Sequence, residues 1–511
     1  MRFLLRTTFA AAFVGTFLVV PHAQRGGGER SGPAQPPLWL PDDQYLRWPL
    51  PTGEQVYAAL DAHRIKGYIN EITAISRKSR DDGNQYWGRI TGTPYDKMTT
   101  DWIAAQFRRV GLEQVRTQEF TKLPPQWFPT SWEVVATGGG RTLPLKTAYP
   151  IYHSAGIETK ELEPVWAGLG LPADFIGRDV KGKAVIVYGI PTPGGRSDSA
   201  LINGSIQRAE EAGAAALFIV LGFPGNVTNQ PTGGDADPAK MPVMMLGNED
   251  GTAVRELIEK SRSLGEGGSG ERPKLRVRLT VEMRSGLKTA SVWGMLPGAT
   301  DENIAVMAHT DSFFEGAMDN ASGIGTLIEL AQYYARVPKA SRRRTMLFFT
   351  SSAHHSPSGE EAGLRWIHNN MQAMFAKTAL IVNCEHTSQA QTYLIGNSLV
   401  SSNAVSARRW FVGGSDRLKA IVADSFKTFG VAIYSRPETR PGGELGVVYT
   451  DAPSFHIIDH AFYHTDLDTA VIVPEAGLEA AVRAFAKIID EVNNVDIQNL
   501  RAARRSEDER K

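Results

Sequence analysis

From Leu287 through the segment ALIVNCEH the chain repeats one pattern: a short apolar run, a His or acidic residue at its carboxyl end, then a stretch with helical spacing. The runs ASVWGML, NIAVMAH, RTMLFFTSS and ALIVN are short, bulky and apolar, and each reads as a strand. Between them, GIGTLIELAQYYARV and AGLRWIHNNM place apolar residues at the spacing of a helix face. This alternation predicts an α/β fold with a mostly parallel central sheet flanked by helices. It also predicts where chemistry sits, because open α/β sheets bind ligands beyond the carboxyl ends of their strands.

Three of those strand ends deliver candidate ligands. NIAVMAHTDS brings His309 and Asp311, RTMLFFTSSAHH brings His354 and His355, and ALIVNCEH brings Glu385 and His386. A lone strand-end histidine is usually structural, whereas several converging with carboxylates point to a metal site. GAMDNASGIGTLIEL sets Asp319 in a polar loop ahead of a helix, where it can bridge two cations; alternatively Asp319 or Asn320 merely caps that helix. TDAPSFHIIDHAFYHTDLDTA adds His456, His460 and His464, and spacing alone does not choose among them.

At 511 residues the chain exceeds the roughly 250–300 at which one hydrophobic core stops growing, so more than one domain is expected. Residues 1–23 (MRFLLRTTFAAAFVGTFLVVPHA) have the order of a secretory signal, with an apolar run shorter than a membrane span. Residues 24–41 are Gly/Pro-rich and read as a disordered leader. Cys384 is the single cysteine, so no intrachain disulfide forms. The expectation is a periplasmic or secreted bacterial protein with no stable membrane span once the signal is removed. Acidic and basic residues balance at 55 each, leaving no net field to draw nucleic acid.

Two helical stretches between Glu54 and Gly111, joined by GRITGTPYD, place residues 42–155 in the N-terminal part of the main domain. The strands GKAVIVYG and AAALFIVLG, with SIQRAEEAGA between them, mark 156–285 as an inserted β-rich module. The main domain resumes over 286–496, and 497–511 reads as a charged tail.

Taken together, AHTDS, MDNASG, NCEH, TDAPSF and YHTDLDT resemble the ordered segments of zinc-dependent exopeptidases of metallopeptidase family 28, of aminopeptidase or glutamate carboxypeptidase type. The inserted module, with GRDVKGKAVIVYG and MPVMMLGNEDG, is similar to a protease-associated domain. The resemblance implies two zinc ions. One would be held by His309, Asp319 and Glu385, the other by Asp319, the position after RTMLFFTSSA, and His464. Asp311 would orient His309 through its second ring nitrogen. Such a pair of ions acidifies a water and polarises the scissile carbonyl of a peptide or aminoacyl substrate.

Family members usually carry Glu-Glu after the strand equivalent to RTMLFFTSS, as base and ligand. Here that slot falls on His354-His355, and Glu360-Glu361 reaches it only through an insertion. SGEE also reads as a capping box, with Ser358 as N-cap and Glu361 reaching back, which gives the glutamates a structural task. His355 is therefore expected as ligand and His354 as base, with Glu360 and Glu361 the alternative pair. With one carboxylate fewer, the second zinc is expected to bind less tightly. The expected activity is hydrolysis of a terminal peptide bond; the alternative is a non-catalytic binding protein that keeps the fold with an altered His-His site. Arg408, Arg409, Arg436 and Arg440 are candidates to receive a substrate carboxylate or are plain surface arginines, and the inserted module is left to lid the cleft or to mediate a homodimer.

Overall fold

The computed structural model describes residues 50–191, 198–231, 238–263, 271–395, 398–438, 443–448, 450–458 and 462–502. The expected signal and leader, His460, Arg440 and residues 503–511 lie outside this set. Residues 497–502 do not behave as a tail: Ile497–Leu500 is a helical turn whose Leu500 is fully buried. No helix among the described residues is long and apolar enough to cross a membrane.

Seven strands form the main sheet: β1 (Glu113–Phe120), β2 (Thr289–Leu296), β3 (Asn303–His309), β4 (Thr345–Ser351), β5 (Thr378–Asn383), β6 (Arg409–Gly413) and β7 (Ser454–Ile458). Their spatial order is β6-β7-β5-β3-β4-β2-β1. The four strands β7, β5, β3 and β4 are parallel, while β6 and the pair β2 and β1 join antiparallel at the two edges. The sheet is thus mixed rather than mostly parallel. For β2 the reason is the short Pro297–Glu302 connection to β3: it can only reverse the chain, since a parallel return needs a crossover of about a dozen residues or more.

The helices that bear on the site are α1 (Ala62–Asp81), α2 (Pro94–Arg109), α3 (Gly323–Ala335), α4 (Gly363–Asn370), α5 (Asp416–Phe429), α6 (Gly443–Val448) and α7 (Glu475–Asn493). Alternation along β3 sorts them onto two faces. Ile304, Val306 and Ala308 pack with apolar residues of α1, α2, α3, α5 and α7 in one large core. Ala305 and Met307 pack on the opposite face with Leu364 and Ile367 of α4 and Leu445 and Val448 of α6. The parallel strands at the centre of the sheet are therefore buried on both sides, whereas the edge strand β1 is polar and largely exposed.

Residues 126–284 build two further sheets. One runs in the order 149–150, 243–246, 216–221, 184–189, 164–166, and the other in the order 141–144, 126–138, 274–284, 157–162. They share a core that includes Trp132, Val134, Phe218, Met244, Val277 and Leu279. The long strand Gln126–Gly138 pairs antiparallel with Lys274–Arg284 and not with the main sheet, so this two-sheet unit starts at 126 where the sequence reading placed its start at 156. The polar, broken composition between 139 and 160 hid a pairing that spans well over a hundred residues of chain.

At the first turn of α2, Asp96 is buried, and its Oδ2 accepts from the Gly92 amide at 2.9 Å. Burial pushes its carboxyl up to about 7. A folded-state value above the unfolded one means the native state holds the extra proton, so stability falls as pH rises from about 4 to about 7. Asp96→Asn keeps an acceptor for Gly92 and removes the ionisation. Urea unfolding at pH 5 to 8 should show the variant gaining on the wild type as pH rises, by on the order of 1–3 kcal/mol by pH 8.

Candidate metal centre

The four parallel strands end on one edge, and their carboxyl ends carry the site. In register, His309 at the end of β3 lies beside Ser351 at the end of β4, and Met307 lies beside Asn383 at the end of β5. The chain then turns sharply: Ala353, His386 and His464 all have positive φ, as does Phe314 after β3. Non-glycine residues adopt that region at a cost of roughly 1–3 kcal/mol each, and such residues gather where surrounding contacts hold them for function.

Asp319 is the hub. It sits in the turn Ala317–Ser322 ahead of α3, 2 % exposed. Its Oδ1 lies 2.9 Å from His309 Nε2 and 3.1 Å from His386 Nε2. Its Oδ2 lies 3.0 Å from His464 Nε2 and 3.5 Å from His355 Nε2. It does not cap α3: Asn320 Oδ1 accepts from the Gly323 amide at 3.1 Å instead. The turn is held from below by Asp468, whose carboxylate accepts from the Met318 amide at 2.7 Å and the Asp319 amide at 3.1 Å. It is tied to β5 by Asn320 Nδ2, which donates to the Cys384 carbonyl at 3.0 Å. That approach is close enough that a Cβ on Gly323 would lie 2.0 Å from the same carbonyl oxygen, so only glycine fits. Buried Arg89 braces the neighbouring loops, donating to the carbonyls of Thr310, Glu315 and Gly316.

The histidines are oriented by their outer nitrogens. His309 Nδ1 donates to the backbone carbonyl of Asp311 at 3.1 Å, and His464 Nδ1 to the carbonyl of Gln230 at 3.0 Å. This assigns the Nε2 lone pairs inward, as in metal-ligating histidines. The Asp311 carboxylate does not orient His309, from whose Nδ1 it stands 3.8 Å away. It accepts the amides of His354 at 3.1 Å and His355 at 2.8 Å, and lies 3.4 Å from His355 Nδ1. With β3 and β4 adjacent and parallel, the turn after β4 presents its amides to the acid after β3, and two charge-assisted amide bonds outcompete one ring contact.

Gln230 comes from the two-sheet unit. Residues 228–230 run antiparallel to 464–466: the Gln230 amide donates to the His464 carbonyl at 2.9 Å, the Asp466 amide to the Thr228 carbonyl at 3.1 Å, and the Thr228 amide to the Asp466 carboxylate at 3.1 Å. The inserted unit therefore sets the backbone and the ring tautomer of His464.

Two donor groups share the edge. Asp319, His355 and His464 form one; His309, His354, Glu385 and Glu444 form another, and Asp319, Glu385 and His386 link them. In the first, His355 Nε2 lies 2.9 Å from His464 Nε2. A tetrahedral zinc with bonds of about 2.0–2.1 Å sets its ligand atoms about 3.3–3.4 Å apart, so the 2.9–3.5 Å separations here match one cation's donor set. Asp319 Oδ2 and Glu444 Oε1 are buried and take no hydrogen bond, which is the condition of atoms facing a cation. Burial opposes ionising Asp319, yet His355 and His309 hold its carboxyl well below the usual range. Burial and then the neighbouring Glu444 push the Glu385 carboxyl well up. Burial lowers His354 to about 4, leaving its ring neutral.

Glu360 and Glu361 stay outside. Their side chains are 70 % and 57 % exposed; Glu360 reaches Arg365 at 3.5 Å and Glu361 pairs with Lys122 at 2.6 Å. No capping box forms either. The helix α4 starts at Gly363 with Ala362 as N-cap and no side-chain cap, because Gly363 at φ +55 breaks the run after Glu361. Of the arginines, Arg408 is buried and donates to the Thr387 carbonyl at 2.6 Å, Arg409 faces Glu438 at 3.5 Å, and Arg436 is exposed. His386 was named from the sequence as a strand-end candidate beside Glu385, whereas Asp468, Gln230 and Glu444 were not singled out, and for Gln230 and Glu444 there was no signal.

Residues 291–489 match the model of peptidase family M28, a stretch that holds most of the residues gathered at this edge of the sheet. Aminopeptidase YwaD of Bacillus subtilis (strain 168) is 28% identical over 264 residues, 51% of this chain and 50% of that protein. Probable glutamate carboxypeptidase VP8 of Zea mays is 21% identical over 368 residues, 60% of this chain and 50% of that protein. The chain thus matches about half the length of each of these relatives. The fold is that of a peptidase M28 precursor from Shewanella amazonensis SB2B (TM-score 0.66, 16% identity, 91% of this chain and 100% of that one). It is also that of the zinc aminopeptidase BSAP from Bacillus subtilis (TM-score 0.58, 18% identity, 89% and 99%).

Asp468→Ala would strand two buried amides, each worth about 1–3 kcal/mol. The variant should lose roughly 2–5 kcal/mol of stability in denaturant unfolding, and bind zinc about 10–100-fold more weakly in a chelator competition, as removal of an outer-shell partner does.

Proposed function

We propose that this chain is a zinc-dependent exopeptidase that works outside the cytoplasm, hydrolysing the terminal bond of a peptide or aminoacyl substrate. The observation that carries the reading is the inward-facing set around Asp319: the Nε2 atoms of His355 and His464 and the Asp319 Oδ2 converge within 3.5 Å, with outer nitrogens or strand ends held elsewhere. Such a set is electrostatically sound around a cation and strained without one. His309, Asp319 and Glu385 would hold one zinc, and Asp319, His355 and His464 the other. Bound zinc supplies a Lewis acid for a carbonyl and a water of lowered pKa.

The residues of the chain do the rest. Asp311 fixes the His354-His355 turn through its two amides. His354 stacks on His309 at 4.4 Å between ring centres, and with 14 % of its side chain accessible it can take a proton at a ring nitrogen from a group entering the cleft. The 126–284 unit, which we read as a protease-associated module, holds His464 through Gln230 and so makes the inserted unit part of the catalytic edge. The N-terminal residues 1–23 support export, and the intact signal would be missing from the mature protein.

The outward-facing Glu360 and Glu361 support a second reading, a binding protein that has lost its acid base. One experiment separates the two. Purified protein is assayed on a panel of aminoacyl and carboxyl-terminal glutamyl substrates, with and without chelator, as wild type, His354→Ala and Glu360→Gln/Glu361→Gln. The exopeptidase reading expects hydrolysis that chelator abolishes and zinc restores, a loss of about 100-fold or more in kcat for His354→Ala, and little change in the glutamate variant. Zinc-dependent substrate binding without turnover would carry the binding reading instead.

A further inference from the structure

The geometry assigns Glu444 to the metal centre as its third carboxylate, a ligand for the cation held by His309 and Glu385. It takes over the negative charge that the chain lacks where His354-His355 follows β4. This rests on the reading of the edge as a metal centre and changes which residues build it.

Glu444 comes from α6, in the connection between β6 and β7, and belongs to none of the strand ends that announced the site. It is fully buried, at 0 % exposure. Its Oε1 lies 3.7 Å from His309 Nε2 and 3.8 Å from His354 Nδ1, and takes no hydrogen bond among the described residues. Its Oε2 accepts from Asn383 Nδ2 at 2.8 Å, and the same amide donates to Glu385 Oε2 at 3.0 Å. One side-chain amide therefore aligns two carboxylates, and their other oxygens are left to face the imidazoles.

Two buried carboxylates side by side repel unless a proton or a cation lies between them and their surroundings. Among the described residues no lysine or arginine pairs with Glu385 or Glu444; the basic groups within 4 Å are the imidazoles of His309, His354 and His386, and His456 is near enough to interact with Glu444 electrostatically. The position has also been prepared by packing. Leu445 and Val448, flanking Glu444 on α6, are buried in the core on the α4 face of the sheet with Met307 and Ile381, which fixes the short helix against the strand ends. A helix anchored by apolar neighbours and presenting one fully buried, half-satisfied carboxylate to two imidazole nitrogens is a preorganised ligand arm. Counting Asp319, Glu385 and Glu444, three carboxylates then face two divalent cations, and the charge deficit implied by His355 at a ligand position disappears.

The rival account is that Glu444 only shares a proton with Glu385. Glu444→Gln discriminates, because its amide preserves a hydrogen bond to Glu385 and to Asn383 while removing the charge. Zinc is titrated into the metal-stripped full chain against a chromophoric chelator, with cobalt absorption as a second readout, for wild type, Glu444→Gln and Glu444→Asp. The expected result is two zinc equivalents in wild type, and in Glu444→Gln one equivalent unchanged and the other weakened at least about 100-fold, beyond the 10–100-fold typical of an outer-shell partner. Glu444→Asp, which keeps the charge on a shorter arm, should fall between them, and it is the deciding variant if circular dichroism shows Glu444→Gln unfolded. Wild-type affinity for both ions in the folded Gln variant, or in the Asp variant when it decides, overturns the assignment and leaves the exopeptidase reading standing. A wild-type chain that binds no zinc overturns both.

Discussion

The structure is organised around one buried carboxylate, Asp319, which has imidazole nitrogens of His309 and His386 on one oxygen and of His464 and His355 near the other. An ionised carboxylate away from water is costly unless it is paired or ligates a cation, so its neighbours must be held to a fraction of an ångström. That demand explains the surroundings. Asp468 pins the backbone on which Asp319 rides, Arg89 gathers the carbonyls of the adjoining loops, and Gly323 lets α3 touch the Cys384 carbonyl. The strained φ values at Ala353, His386 and His464 are tolerated because each turn ends in this network.

The same demand links the two parts of the fold. His464 lies beyond β7, and without the ladder to residues 228–230 neither its backbone nor its ring nitrogen would be set. The two-sheet unit is thus coupled to the edge of the main sheet largely through its own backbone amides and carbonyls at residues 228–230, whose side chains play no part in those bonds. A bond of this kind to a backbone carbonyl leaves no trace in the residue type at position 230.

Much of the main sheet was legible. NIAVMAH and the runs of β4 and β5 could be read from apolar content and length alone, because strands buried on both faces are apolar through their middles and keep polar residues mostly at their ends. His309, Asp319, His355, Glu385 and His464 could be named because they follow those strands directly or fall in motifs of recognisable order. The pairing of edge strands could not, since strand direction depends on how connections pack. The start of the two-sheet unit was misplaced because the strand at 126–138 finds its partner only at 274–284. The capping box failed because φ at Gly363, not the Ser358 side chain, decides where α4 begins. The role given to Asp311 shifted because a carboxylate takes whichever donors the neighbouring strand offers, and register put two amides within its reach.

Order along the chain established that several His and acidic residues stand at strand ends, since apolar periodicity and residue identity are local properties. It also set His354-His355, and not Glu360-Glu361, directly after the β4 run. Which of those residues meet, and through which atoms, was decided by the tertiary structure. Glu444 enters from a short helix whose distance along the chain from the strand ends says nothing of its distance in space, and Gln230 acts through its backbone. Both contribute through geometry that exists only once β7, α6 and the two-sheet unit are packed against the same edge.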